Sequence, residues 1–174
     1  VLIMDQNSKQ PQLMEGFRAL DLTDEKGLMC GQLLGGLGVD VIKVERPGGD
    51  AARQLPPFYK DEEDPEKSLY WLCNNRNKRG ITLNIKSDKG RDIFLKMVGT
   101  TDFVFESFDP GFMDSIGLGY DDLEKVNPRV ILTSITPFGQ TGPYSQYKFS
   151  DLVQAAMGSI MPGCGEGDRP PVRT

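Results

Sequence analysis

Residues 31–53 read GQLLGGLGVDVIKVERPGGDAAR, and this stretch decides the fold. Its first part closes a helix and turns on glycine. Residues 39–44, VDVIKV, then form a short run of alternating and β-branched apolar residues. The run is too apolar for a solvent-facing edge and far shorter than the ~18 apolar residues of a membrane span. It predicts a central parallel strand covered on both faces. Open α/β sheets hold ligands beyond the carboxyl ends of such strands. Glu45, Arg46, Pro47, Gly48 and Gly49 stand there, and a charge pair followed by turn residues predicts a binding loop rather than a core element.

Working outward, residues 17–22, FRALDL, predict the preceding strand. Residues 1–13 form a lead-in expected to be flexible, and residues 14–174 a single domain. Thr23 is placed to cap the next helix, with Asp24 and Glu25 in its first turn, where the helix dipole favours acids. Met29, Leu33 and Leu37, with Cys30 and Leu34, repeat at helical spacing and predict its inward face. Gly35, Gly36 and Gly38 end it. Strand, helix and strand within about 30 residues make a right-handed βαβ unit.

Downstream, residues 47–67 form a long Pro-, Gly- and acid-rich excursion, a surface or functional loop. Tyr70 and Trp71 are expected to pack back on the domain. Residues 74–80, NNRNKRG, read as a polar, basic turn, and residues 81–85 as a strand. Ser87 caps a helix reaching Val98, with Ile93, Phe94, Met97 and Val98 inward. Strands are predicted over 102–106 and 130–135, a punctuated loop with a short helix over 107–119, and a helix over 121–126. The glycine-rich PFGQTGPY follows at 137–144, then a helix over 150–161 with Leu152, Val153, Ala156 and Ile160 inward. This alternation predicts an open, mostly parallel α/β sheet flanked by helices.

Composition sets limits on function. The net charge of −5 gives no overall electrostatic support for nucleic-acid binding. The opening residues lack the charged start and apolar core of a signal peptide, and no membrane span is expected. Cys30, Cys73 and Cys164 are scattered, without CxxC spacing, and the 174 residues contain no histidine. Neither a metal site nor a disulfide framework is expected, and a reducing cytoplasm is the default location. Ser-His and Cys-His catalysis is excluded on the same ground.

Four constellations stand out. Asp21 and Glu45 end successive strands, where a ribose-binding acid belongs, but a dinucleotide fingerprint needs its glycines between the first strand and its helix. That turn reads LTDEKG, with acids where phosphate would sit. Arg46, Arg53, Lys86, Lys148 and the basic run at 76–79 are either solvated surface charge or a phosphate-binding set. Glu106, Ser107 and Phe108 at a strand end either line a pocket or, in the case of Phe108, fill core. The glycines of PFGQTGPY either permit close backbone contact with an oxyanion or make a tight turn.

Taken together, RALDLT, LLGGLG, VDVIKVERPGGDAAR, NRNKRGITLNIKSDKGRDIFLKMV, DFVFESFDPGFMDSIGLGYDDLEKVNPRVILTSIT, FGQTGPY and SDLVQAAMGSIM leading to RPPVR keep a characteristic order. From about Met14 to the last residue the chain resembles the N-terminal part of the family III (CaiB–BaiF) CoA-transferases. The resemblance implies a Rossmann-like domain that takes coenzyme A or acyl-CoA as substrate, with no metal. It implies that Arg46, Leu83 and Lys86 hold the adenine and phosphates. Ser107, Phe108, Ser115 and Ile116 would line the pantetheine and diphosphate, with Lys148 as a further contact. Many relatives carry Asn in place of Ser107 and a basic residue in place of Ser115, and LTDEKG is one residue shorter and more acidic than usual.

The resemblance further implies a homodimer of threaded chains and a carboxylic acid as second substrate. The chemistry implied is covalent: an aspartate attacks an acyl-CoA to give a mixed anhydride, then an aspartyl-CoA thioester, before CoA passes to the acid. That aspartate is expected just after the PPVR stretch, so the chain reads as the CoA-binding part, inactive by itself and with no catalytic residue. Two alternatives stand beside it. A 2-methylacyl-CoA racemase resembles this fold, but its histidine would fall at Ser150. A non-catalytic CoA- or nucleotide-binding module fits the chain as it stands.

Overall fold

The computed structural model describes residues 12–158, 161–164 and 169. Most of the lead-in, Ile160 and the PPVR stretch lie outside the described residues. Among the described residues five strands, β1 (Arg18–Leu22), β2 (Asp40–Glu45), β3 (Lys78–Thr82), β4 (Phe103–Glu106) and β5 (Ile131–Ser134), form one sheet. Their order is β3-β2-β1-β4-β5 and every pairing is parallel. The predicted α/β architecture is therefore the observed one, with β1 at the centre and β2 beside it. The chain runs outward from β1 through β2 to β3, then crosses back to β4, so the order reverses between β1 and β4.

Among the described residues six helices connect and flank the strands: α1 (Leu28–Gly36), α2 (Leu69–Asn74), α3 (Asp88–Val98), α4 (Phe112–Ser115), α5 (Tyr120–Val126) and α6 (Asp151–Met157). Strand alternation sorts the core into two layers. Leu20, Leu22, Ile42, Val44 and Val104 meet Phe94 and Val98 of α3 on one face. Ala19, Val41 and Phe105 meet Cys30 and Leu34 of α1 on the other. A third cluster, Leu28, Ala52 and Trp71, draws the long 47–67 excursion onto the domain through the 3₁₀ turn Ala51–Gln54.

Several local expectations are corrected. Thr23 does not cap α1. Its amide and hydroxyl both donate to Asp21 Oδ1, at 2.9 and 2.6 Å, because the buried Asp21 carboxylate needs them. Asp24 and Glu25 consequently lie in a turn, and α1 begins at Leu28 with Gly27 at its N-cap. The inward face of α1 carries Leu28 and Gly31 beside the partly buried Cys30 and Leu34, whereas Met29 and Leu33 are 60% and 62% exposed. Gly31 lets the helix approach so closely that a Cβ there would lie 3.0 Å from Lys78 Cε. A hydropathy pattern is blind to a contact made by absent side chains.

β3 starts at Lys78, not at Ile81, and the expected basic turn shortens to Asn75–Asn77, with Asn77 in the left-handed region at φ 62°. Polar residues are tolerated there because β3 is an edge strand. In α3, Phe94 and Val98 are buried as expected, but Ile93 is 38% exposed. α6 has no buried residue, so Leu152, Val153 and Ala156 do not point into a core among the described residues.

Candidate functional site

A cleft of about 650 Å³ opens at the carboxyl edge of the sheet, where the strand order reverses. Leu22 and Val44 come from the ends of β1 and β2, Leu83 and Ile85 from the segment after β3, and Phe108 and Phe112 from the segment after β4. Consecutive parallel strands deliver these side chains to one edge without any long excursion. Phe108 and Phe112 stand 4.6 Å apart, centroid to centroid, in a tilted pair. The floor and far wall are thus apolar, and a ring or alkyl chain can be buried against them.

Two cations stand at the rim. Arg46 follows β2, and Gly48 and Gly49 adopt φ of 91° and 85°, folding the loop so that Gly49 N donates to the Arg46 carbonyl at 3.0 Å. The Arg46 Nε donates back to the Gly49 carbonyl at 3.1 Å, which fixes the exposed guanidinium beside the opening. Lys86 follows β3, and its ammonium lies 5.3 Å from the Phe112 ring centroid. Among the described residues neither cation is paired with a carboxylate.

The acids around the cleft are mostly spoken for. Asp24 accepts from Lys26 Nζ at 2.6 Å. Glu45 receives a two-pronged Arg53, at 2.7 and 2.9 Å, and the Asp50 amide at 3.1 Å. Burial pushes the Glu45 carboxyl up, but these bonds outweigh it and hold the group below the ordinary glutamate range. Arg53 also stacks 4.1 Å above the Trp71 ring. Glu45 is therefore committed to Arg53, and Asp21 is fully buried against Lys78 at 2.7 Å. Neither is free to hold a ribose, in line with the missing dinucleotide fingerprint.

Glu106, at the end of β4, is 3% exposed and accepts from the Phe108 amide at 2.7 Å. Burial raises its carboxyl above the ordinary range, against the lowering effect of hydrogen bonds from Ser134 and Phe108. Gln140 of the glycine-rich loop reaches it at 3.5 Å, and Gly139 and Gly142 hold that loop with φ of 83° and 100°.

Of the residues expected to contact CoA, Arg46, Leu83, Lys86 and Phe108 line the cleft together. Ser107 does not: it is 2% exposed, and its hydroxyl donates to Asp24 Oδ1 at 2.7 Å and accepts from the Asp24 amide at 2.8 Å. Ser115 bonds to the Phe112 carbonyl at 2.7 Å, Ile116 packs on the core, and Lys148 is exposed beyond the lining. Sequence reasoning had not singled out Asp50, Asn84, Asp109 or Phe112, which complete it. Asp50 carried a signal, as an Asx cap following two glycines; its side chain accepts from the Ala52 amide at 2.9 Å.

Fold and cleft define a parallel α/β domain with an apolar-floored cleft at the carboxyl ends of its strands, carrying Arg46 and Lys86 at its rim. The family model for CoA-transferase family III matches residues 14–174, and the chain belongs to that family. Succinyl-CoA:(R)-benzylsuccinate CoA-transferase subunit BbsE of Thauera aromatica is 38% identical over 155 residues. Formyl-CoA:oxalate CoA-transferase of Streptomyces coelicolor is 42% identical over 163 residues, covering 92% of this chain. Human succinyl-CoA:glutarate CoA-transferase is 42% identical over 172 residues, or 97% of it. The chain spans 38% of the length of each of these relatives. A CAIB/BAIF family protein from Brucella suis superposes with a TM-score of 0.86 at 37% identity, over 95% of this chain and 44% of that one.

Proposed function

We propose that this chain is the CoA-binding part of a protein that moves CoA between an acyl-CoA and a carboxylic acid. The observation that carries the reading is the pairing pattern at the cleft. Among the described residues Arg46 and Lys86 at the rim make no ion pair, while Asp24, Glu45 and Asp50 are each matched to a cation and Glu25 and Asp109 are the lining acids left without one. An anionic phosphate fits the rim and an adenine or pantetheine the apolar floor. Leu83 and Phe108 supply that floor. Ser115, Ile116 and Lys148 are assigned to the outer path of the ligand, and Ser107 to the support of the loop carrying Asp24.

In this reading the acyl group is exchanged through aspartyl anhydride and thioester intermediates, in a homodimer, and the nucleophilic carboxylate is not assigned to any residue of this chain. Covalent catalysis divides one difficult acyl exchange into easier steps. The racemase-type alternative is disfavoured by Ser150, whose hydroxyl caps α6 by accepting from the Val153 amide at 3.3 Å where a proton-transferring histidine would be needed. Calorimetric titration of the chain with CoA tests the reading. Arg46→Ala is expected to weaken binding by roughly 1–3 kcal/mol, the worth of a charged hydrogen bond. Unchanged affinity in a folded variant removes Arg46 from the site, and no binding by the parent chain refutes the reading.

A further inference from the structure

Lys43 lies across the β1–β2 ladder from Asp21, so both side chains leave the sheet on the face covered by α1. The side chain of Lys43 is 3% exposed. An ammonium has three hydrogens, and three oxygens surround this one. It donates to the Thr23 carbonyl, lies 3.3 Å from Asp50 Oδ2, and lies 3.7 Å from Asp21 Oδ1. Thr23 opens the loop whose next residues, Asp24 and Glu25, line one side of the cleft. Asp50 belongs to the loop after β2, which lines another side with Arg46 and Ala51. Lys43 itself does not line the cleft. It faces a smaller cavity of about 140 Å³ behind it, with Arg53, Trp71 and Lys78.

We propose that Lys43 is a positioning residue for the cleft: by tying the Thr23 carbonyl to the Asp50 carboxylate, it sets the spacing of the two loops between which the ligand enters. Its anchorage is rigid. Asp21, beside it, is held by the Thr23 amide and hydroxyl and by Lys78, which also donates to the Leu28 carbonyl and Asn75 Oδ1 at 2.7 and 2.9 Å. The Asp50 arm is equally definite, since Oδ1 accepts from the Ala52 amide at 2.9 Å while Oδ2 faces Lys43. The 3₁₀ turn that follows carries Arg53 over Trp71. A loosened Asp50 therefore frees the loop bearing Arg46 and uncovers Trp71 together.

The inference rests on the CoA reading, and Asp50→Asn separates the two. Whichever way the amide turns, it loses either the bond to Lys43 or the cap on Ala52. A pure charge effect has the opposite sign, because removing an acid from the cleft favours an anion. The 174-residue chain, with its single tryptophan at position 71, is titrated with CoA by calorimetry, and Trp71 is quenched with iodide. Both are run at a temperature where circular dichroism shows parent and variant folded. The expected result is CoA binding roughly tenfold weaker than the parent's, as for a lost charged hydrogen bond, with faster quenching of Trp71. Lys43→Gln should shift both readouts in the same direction. Parent-like or tighter CoA binding by a folded Asp50→Asn overturns the inference and leaves the CoA reading standing. Weaker binding with unchanged quenching also overturns it, assigning Asp50 a direct ligand contact instead. A parent chain that does not bind CoA defeats the reading itself, and the inference with it.

Discussion

Gly90→Ala should damage both the fold and the cleft, although alanine is the better helix former. Gly90 is the third residue of α3, buried, and its amide donates to Ser87 Oγ at 3.1 Å. A Cβ at this position overlaps the Asn84 carbonyl oxygen outright and lies 2.7 Å from the Asn84 carbonyl carbon and 2.9 Å from Ser87 Oγ. The obstacle is backbone, so no rotamer change relieves it. Asn84 cannot retreat freely, because its carbonyl accepts from the Ser87 amide at 3.1 Å and the Ser87 hydroxyl at 2.8 Å. Exchanging glycine for alanine in an open helix gains roughly 1 kcal/mol. Overpacking costs roughly 1–3 kcal/mol, and each hydrogen bond loosened costs roughly 1 more. The balance is a net loss of about 1–3 kcal/mol, and each kcal/mol is worth about 2–4 °C in a protein of this size. Asn84 sits between Leu83 and Lys86 at the cleft, so CoA affinity should fall as well. Gly36→Ala is the control: it meets nothing within 4 Å and should melt at or above the parent. Calorimetric melting and CoA titration read both effects. A Gly90→Ala chain that melts at or above the parent and binds CoA equally well refutes the reasoning.

Glu106→Gln should gain stability relative to the parent as pH rises. Burial raises the Glu106 carboxyl, so its favourable, protonated contribution is full below the unfolded glutamate range and is lost as pH climbs through the folded value. The glutamine keeps an acceptor for the Phe108 amide at every pH, so a melting-temperature difference that is flat or reversed between pH 5 and pH 8 disproves this. The chain should also self-associate through its exposed apolar side chains, among them Met29 and Leu33 of α1 and Leu152 of α6 at 64% exposure. Sedimentation showing one compact monomer across a hundredfold concentration range would count against it.

The parallel α/β sheet was legible because each strand carried its own signal. VDVIKV could be buried on both faces, and the Ser87 cap marked the start of α3, its hydroxyl accepting from the Gly90 amide. What escaped reading was decided by charge brought together from afar. Asp21, Lys43 and Lys78 come from three strands, and with Asp50 on Lys43 the charges balance, which lets Lys78 begin a strand where the sequence suggested a turn. Thr23 looked like a cap until Asp21 claimed both its donors. Met29 and Leu33 matched a helical period, but the period gives a face, not its direction. Gly31 turned out to mark the side of closest approach.

The site was half legible for a related reason. Arg46, Leu83, Lys86 and Phe108 each lie just past a strand end, so placing the strands placed them. Whether a charged residue near the cleft serves a ligand depends on whether it already has a partner, and the partners are distant in sequence. Asp24 is held by Ser107, 83 positions away, and Arg53 reaches back to Glu45 and out to Glu66. Counted by residue, the cleft looks too acidic for phosphate. Counted after pairing, Asp24, Glu45 and Asp50 are neutralised by Lys26, Arg53 and Lys43, and the lining charges left without an ion pair among the described residues are Arg46 and Lys86 against Glu25 and Asp109, so the excess of acid is gone. Screening should then act on the rim far more than on the buried pairs. CoA affinity should fall with added salt, steeply in the parent and more shallowly in Arg46→Ala, while the melting temperature, which rests on the apolar core, changes far less. Equal salt slopes for the two proteins would place the ligand's phosphates away from Arg46.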